Sequence, residues 1–496
     1  MKHKQTNKLV IIGGGMAGWA AAAALARRLK PRFYDITVVE SSHVDNLGVG
    51  ESVLPSVISF LRDLGLNEQD LIHKAQAGPK LGIEFRDWSE KGSSYFHPFG
   101  TIGSKLGEAG FFHYWLKARA GGDLTPLMDH SPAAVMAKHG KFVLPFKFPA
   151  GSPLAGADHA LHLDAGLVVR YLREFSEKHH VRRIEGHVVR VHQQENGSIE
   201  SVELNSRQVV DGDFFIDCSG VRGLLIGETL DVAYESWKRF LPCDRAVAVQ
   251  STPGGQAFPY SISSAKESGW AWCIPLQNRI SSGYVYSSGH CSDNHARQIL
   301  LNSLNGDLLY EPHFIPFRTG IRQQMWKKNC LALGLAGGFL EPLESTAIHL
   351  ITRGVKLLLE LFPNLSGDEQ DWPCLASEYN SRVRSDYEEI RDFILLHYAL
   401  TSRTDSEFWL LCQSLPIPES LGRKIELFKS NGQLSIISDR LFRKSDWQSV
   451  FTGMGVIPCH HHPFADMDNY ERVHRLMKSN RDRIEAAVQD LPDSGF

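Results

Sequence analysis

The sequence predicts an α/β protein, built as a Rossmann-type dinucleotide-binding domain with mixed sheets followed by a mainly helical domain. Three observations lead there. A short apolar run at 9–12 passes through a glycine-rich turn at 13–18 into an alanine-dense helix at 17–29, and a second strand follows at 35–40, which together make a β-α-β unit. Short β-branched or aromatic segments fill the middle of the chain. From about residue 358 onward the apolar residues recur at helical spacing, and the division is drawn there, at 1–357 and 358–496.

In the glycine turn, Gly13, Gly15 and Gly18 fit GxGxxG, with Met16 and Ala17 opening the helix. Missing side chains let a pyrophosphate approach the backbone amides at a helix N-terminus. Glu40 ends the next strand, where a carboxylate accepts hydrogen bonds from ribose hydroxyls. The pattern implies a dinucleotide without distinguishing FAD from NAD. Further strands are predicted at 188–191, 201–204, 213–217, 247–250, 283–287 and 330–333. The clearest amphipathic helices are 379–398 and 418–429. With no internal repeat, low-complexity tract or long linker, the parts are expected to pack tightly.

A chain of 496 residues exceeds one ordinary core and can build deep sites. No stretch approaches the roughly 20 apolar residues of a bilayer span, so no membrane partner is expected. A formal net charge of -3 supplies no basic field, and nucleic acid is not expected as a partner either. The polar lead at 1–8 lacks a signal-peptide core, which makes the cytoplasm the expected compartment. Eight cysteines without a CxxC pair predict no disulfides. The run Cys459, His460, His461, His462 invites a metal reading, but consecutive side chains diverge. It reads better as a loop entering a turn at Pro463, and no metal is expected.

Several further segments, taken in order, resemble the flavin-dependent tryptophan halogenases. They are GVGES at 48–52 with Pro55, YFHPFG at 95–100, DFFIDCSGVRGLLI at 213–226, GWAWCIP at 269–275 and GLAGGFLEPLESTAIHL at 334–350. GWAWCIP contains the WxWxIP signature as Trp270, Trp272, Ile274 and Pro275. Any one could be chance, since paired tryptophans on a strand face are ordinarily core packing. Their common order over most of the chain is specific. The resemblance implies an FAD-dependent monooxygenase-like flavin domain, with inserted segments reaching the substrate pocket and the helical domain binding substrate. It also implies that reduced FAD from a separate flavin reductase, oxygen and a halide ion, chloride or bromide, yield hypohalous acid. A closed tunnel then leads the oxidant to a small aromatic substrate. A homodimer is left open.

Residue by residue, the resemblance assigns Gly50, Glu51, Ser52, Gly334 and Leu343 to the flavin together with the glycine turn and Glu40. Lys80 in GPKLGIEF matches the lysine at the substrate end of the tunnel. Preceding an apolar strand it would point inward, where desolvation disfavours the ammonium and allows either a haloamine or a hydrogen-bonded hypohalous acid. The plain alternative is a surface lysine, and Lys74 on a helical segment is the competitor. Glu344 matches the paired carboxylate, a group able to take the ring proton, with Glu341 as the other acid. A capping box around Ser345 and Thr346 is the structural reading of the same loop. Thr346 and Ala347 match the residues whose amides hold the halide; Ala347 replaces a glycine, so chloride and bromide are equal candidates. Trp270 and Trp272 would keep substrate from the flavin, and His97, Pro98, Phe99 and Ser345 line the substrate pocket, His97 being equally readable as a structural histidine.

The tryptophan-specific members carry an aromatic and acidic set in the helical part that grips the amino acid's backbone. HYALTSRTDSEFW at 397–409 has no clear counterpart, so an indole-type substrate other than free tryptophan is expected, with phenol and pyrrole rings open. Two other functions compete. An FAD-dependent aromatic hydroxylase shares the fold, but WxWxIP fills the space that substrate would need. A non-catalytic flavin sensor would not need Lys80 and Glu344 together.

Overall fold

The computed structural model describes residues 6–41, 50–144, 148–255, 257–365, 371–436 and 440–493; Gly48 and Val49 of the GVGES segment fall outside them. The chain divides into two compact units. One gathers Met1–Gln76, Leu163–Lys238 and Phe317–Glu389, the other Ala77–His162, Arg239–Pro316 and Ile390–Phe496. Two consecutive domains split at 357/358 are therefore not how these units are assembled: 358–389 goes with the first unit and the rest of the helical part with the second. A change in periodicity marks a change of element type, whereas a unit boundary falls where few contacts cross.

The first unit centres on a six-stranded sheet in the order Trp326–Lys327, Cys330–Ala332, Phe214–Asp217, Asn7–Ile12, Tyr34–Glu40, Arg182–Glu185. All pairs are parallel except the first. Leu9, Val10, Ile11 and Ile12 are at most 4% exposed, as a parallel strand covered on both faces requires. The helix Met16–Arg28 buries Ala20 to Ala24 together, and its alanines add little bulk between backbones. An antiparallel meander of Val188–Gln193, Ile199–Leu204 and Val209–Asp211 packs Val202 and Leu204 against Phe215 and Leu225. The helix Ala347–Glu360 belongs to this unit as well.

The second unit centres on a seven-stranded sheet in the order His313–Pro316, Arg245–Ser251, Ile280–Tyr286, Gly269–Pro275, Ser261–Lys266, Gly82–Arg86, Ser94–Pro98. Across it, Tyr95, Phe85, Ser263, Trp272, Gly283 and Ala248 stand directly opposite one another and so share a face. A short ribbon pairs Gly78–Lys80 with Ala160–Asp164. Every strand expected from the sequence is present within one to three residues, 379–398 lies in the helix Trp372–Ala399, and 418–429 coincides with the helix Glu419–Asn431 and its N-cap Pro418. No helix among the described residues is long and apolar enough to cross a membrane. All eight cysteines are free thiols. His461 bonds Asp466 at 2.9 Å, His462 accepts from the Phe464 amide at the turn Pro463–Asp466, and the described residues hold no group of three metal-ligand side chains.

Candidate functional site

In the first unit the glycine turn opens onto a cavity of about 540 Å³, within the range of cofactor pockets. Gly13, Gly14, Gly15, Met16 and Ala17 line one wall. Each glycine has its own reason. A Cβ on Gly13, at φ 115°, would lie 2.2 Å from the Cys218 carbonyl oxygen, and one on Gly18 would lie 1.9 Å from that of Gly13. A Cβ on Gly15 would meet nothing within 4 Å, so this backbone faces the open cavity and is the place for a pyrophosphate. Gly14 makes room for the Glu40 carboxylate, which accepts from the Trp19 indole N–H at 3.0 Å and from Arg183. Glu40 is thus held by protein partners, while Val39 and Ser41 on either side of it line the cavity.

Glu51 lines the same cavity, and Gly50 and Ser52 beside it are buried. Burial alone pushes the Glu51 carboxyl up to about 7. The side chain is half-buried by surface area, yet it is desolvated because its open side faces the cavity. Gly334, at φ 62°, packs on Ala17 and lines the same cavity, while Leu343 is buried at 1% exposure outside the lining.

Thr346 and Ala347 belong to this cavity as well, at the N-terminus of the helix Ala347–Glu360. Free amides and the helix dipole there favour an anion. The turn leading in is strained: Glu344 at φ 65° and Ser345 at φ 61° are both left-handed without being glycine. No side-chain cap forms at Thr346. Glu344 is 2% exposed and Glu341 1%. His349, one turn into the helix, bonds Ser56 at 2.8 Å and is kept neutral by burial, which lowers it to about 3.

In the second unit Lys80 is 0% exposed, its Nζ 5.0 Å from the centre of the Phe99 ring. The surface reading of Lys80 is thereby removed. Lys74 is the surface lysine, 54% exposed and paired with Asp70 at 3.1 Å. Trp270 and Trp272 lie 6.3 Å apart, Trp270 2% exposed and Trp272 fitted over Gly283, where a Cβ would come within 2.1 Å of its ring. His97 is 2% exposed with Nε2 3.4 Å from Asp446 Oδ1, and Pro98 beside it is buried. Phe393 stands 5.7 Å from the His97 ring, stacks on Phe442 at 3.7 Å and meets Trp447 edge-on at 4.8 Å. Lys80 and Glu344 belong to different units, and both are buried.

Sequence reasoning missed several of these residues. His187, Cys218, Ser219 and Arg222 line the first cavity, and all but His187 lie in the DFFIDCSGVRG segment that already carried the resemblance. Asp446 and Phe442 meet His97, and Trp447 meets Phe393, all from outside the 379–409 stretch in which an acidic and aromatic set was expected.

A family model described as tryptophan halogenase matches residues 8–470. The chain is 31% identical to the tryptophan 6-halogenase SttH of Streptomyces toxytricini, over 99% of this chain and 98% of the relative. Among solved structures, BrvH, a flavin-dependent halogenase from Brevundimonas sp. BAL3, superposes with a TM-score of 0.93 at 42% identity, covering 99% of this chain and 98% of that one. A flavin-dependent halogenase from Xanthomonas campestris does so with a TM-score of 0.93 at 41% identity, covering 98% and 97%. Because the glycine turn, the strained loop before Ala347 and the buried Lys80 all fall inside the matched span, the chain belongs to the tryptophan halogenase family of flavin-dependent enzymes.

Proposed function

We propose that this enzyme halogenates an indole-type ring with hypohalous acid, using Lys80 to hold the oxidant, Glu344 to take the ring proton and the amides of Thr346 and Ala347 to hold the halide. The observation that carries this reading is the single cavity lined both by the glycine turn and by Thr346 and Ala347. A halide held there would lie beside the cofactor that oxidises it. Reduced FAD, when bound, supplies with oxygen the two-electron oxidation of halide to hypohalous acid. The protein's own residues do the rest. Helix N-terminal amides attract the halide. Lys80, dry and anchored over Phe99, holds the oxidant by hydrogen bonding or as a haloamine. Glu344, held in a strained turn, is a carboxylate free of bulk water and suited to accept the proton that halogen replaces. An aromatic hydroxylase is not favoured, since the matched relatives are named halogenases.

Free tryptophan is a poor candidate substrate in this reading. Its ammonium and carboxylate need charged partners, and three acids of the second unit are already engaged. Asp446 caps its own helix and lies 3.4 Å from His97, Asp392 binds Arg391 and Ser420, and Asp405 binds Arg403. Leaving two charged groups without partners costs on the order of 1–3 kcal/mol each. Reduced flavin comes from a separate reductase in the cytoplasm, because the sequence holds one dinucleotide motif. Either bromide or chloride serves as the halide. The test is competition between indole and tryptophan with FAD, a reductase and bromide, read by mass spectrometry and NMR. Bromination of indole at the pyrrole carbon with the higher kcat/KM is expected; a dominant benzo-brominated tryptophan would overturn the substrate assignment.

A further inference from the structure

The ribbon that carries Lys80 carries a second buried titratable group. Gly78 pairs with His162 and Lys80 with Ala160, so His162 and Lys80 stand diagonally on one face. Both are 0% exposed. His162 Nε2 lies 2.9 Å from Ser261 Oγ on the neighbouring sheet. Burial holds this imidazole well below the ordinary histidine range; the Lys80 ammonium pushes the same way, and the Pro275 carbonyl opposes them. His162 is therefore a neutral ring beside a cation. Of the other titratable groups on these strands, Glu84 and Arg86 pair with each other at 2.6 Å and His97 faces Asp446. Tyr260 and Cys273 stay protonated, both raised by burial. Among the described residues Lys80 is the charged side chain that acts on His162.

We propose that His162 is a positioning residue for Lys80: a neutral imidazole, pinned by Ser261, that fixes the flank of the lysine and leaves its ammonium as the single positive charge of the cluster. The inference rests on the reading that Lys80 acts in halogenation. Two cations side by side out of water repel strongly. Protonating the ring would displace Lys80 or strip its proton, and a group that must hold a small oxidant at one point loses effectiveness with a shift of about 1 Å.

Single turnovers with photoreduced FAD, indole and bromide, followed across pH by the yield of bromoindole, keep any reductase out of the measurement. Wild-type protein is expected to lose rate along an acid limb well below the ordinary histidine range, where a second charge is forced onto the ring. His162→Gln stays neutral and can still reach Ser261. It is expected to lose that limb while its plateau rate falls by no more than about tenfold. If His162→Gln does not fold, as judged by circular dichroism, Ser261→Ala reports instead; freeing the ring is expected to move the limb by about half a pH unit or more. Profiles of the same shape in wild type and the folded variant overturn the proposal, as does complete loss of turnover in folded His162→Gln. Lys80→Ala run in parallel separates the two readings. Bromination retained there removes Lys80 from the mechanism, whereas bromination lost there, with unchanged profiles in His162→Gln, overturns the positioning role alone.

Discussion

Taking a lysine ammonium wholly out of water costs several kcal/mol of hydration, and Lys80 is 0% exposed. A protein retains such a residue for what it does. Lys80→Met is therefore expected to abolish halogenation, leave FAD binding unchanged and raise thermal stability by about 1 kcal/mol or more. Calorimetry and product analysis on the same sample check it; an active Lys80→Met would end the assignment. Glu51 supplies a pH dependence. Its carboxyl, raised from 4.5 to about 7 by burial, is neutral below that value and ionised above it. Stability of the cofactor-free protein should accordingly decline as pH rises from 4.5 to 7, because the unfolded chain ionises first. An anionic cofactor enters more easily beside a neutral acid, so FAD affinity should fall between pH 6 and 8.5, by up to roughly 30-fold if only the neutral form binds. Fluorescence titration reads this directly. Glu51→Gln should bind equally at both ends, and a wild-type affinity that ignores pH would show that the carboxyl does not face the cofactor. Residue identity was legible in the sequence at both positions, as was the inward direction of Lys80; the desolvation of Glu51 was not.

The strands and helices named from the sequence were legible in position because period and turn chemistry are local, whereas others, Gly82–Arg86 and Ser261–Lys266 among them, were not named. What each element does to its neighbours was less legible. Gly283 reads in the sequence as one more small residue in ISSGYVY, yet it lies directly opposite Trp272, whose ring occupies the space a side chain would take. Gly283→Val is expected to cost about 1–3 kcal/mol by overpacking and to displace Trp272. A fall in denaturation midpoint with a changed tryptophan fluorescence spectrum would agree, and an unchanged midpoint would show that the ring yields freely. The turn before the helix Ala347–Glu360 teaches the converse. ESTA looked like a helix-capping sequence, but Glu344 and Ser345 take left-handed backbone that local preference disfavours by about 1–2 kcal/mol per residue. Strain of that kind persists only where surrounding structure over-determines it, here at a turn that buries Glu344 and brings Thr346 to the cavity.

At the scale of the whole molecule, the two units each draw on three stretches of chain. A fragment ending at residue 357 would leave the first unit without 358–389 and the second without its last 107 residues, 390–496. Such a fragment is expected to aggregate or remain unfolded, which expression and circular dichroism would show; a soluble, cooperatively folded fragment would mean that the first domain read from the sequence stands alone after all. By itself the sequence determined the β-α-β glycine turn, the positions of the strands and helices it named, and the motif series that assigns the family, since each depends on residues close together in the chain. Tertiary structure decided that Lys80 is dry while Lys74 is wet, that Glu40 is held by Trp19 and Arg183, that Asp446 meets His97, and that His162 stands beside Lys80. Burial, charge pairing and proton affinity are set by which distant segments fold against a residue, and no local pattern carries that information.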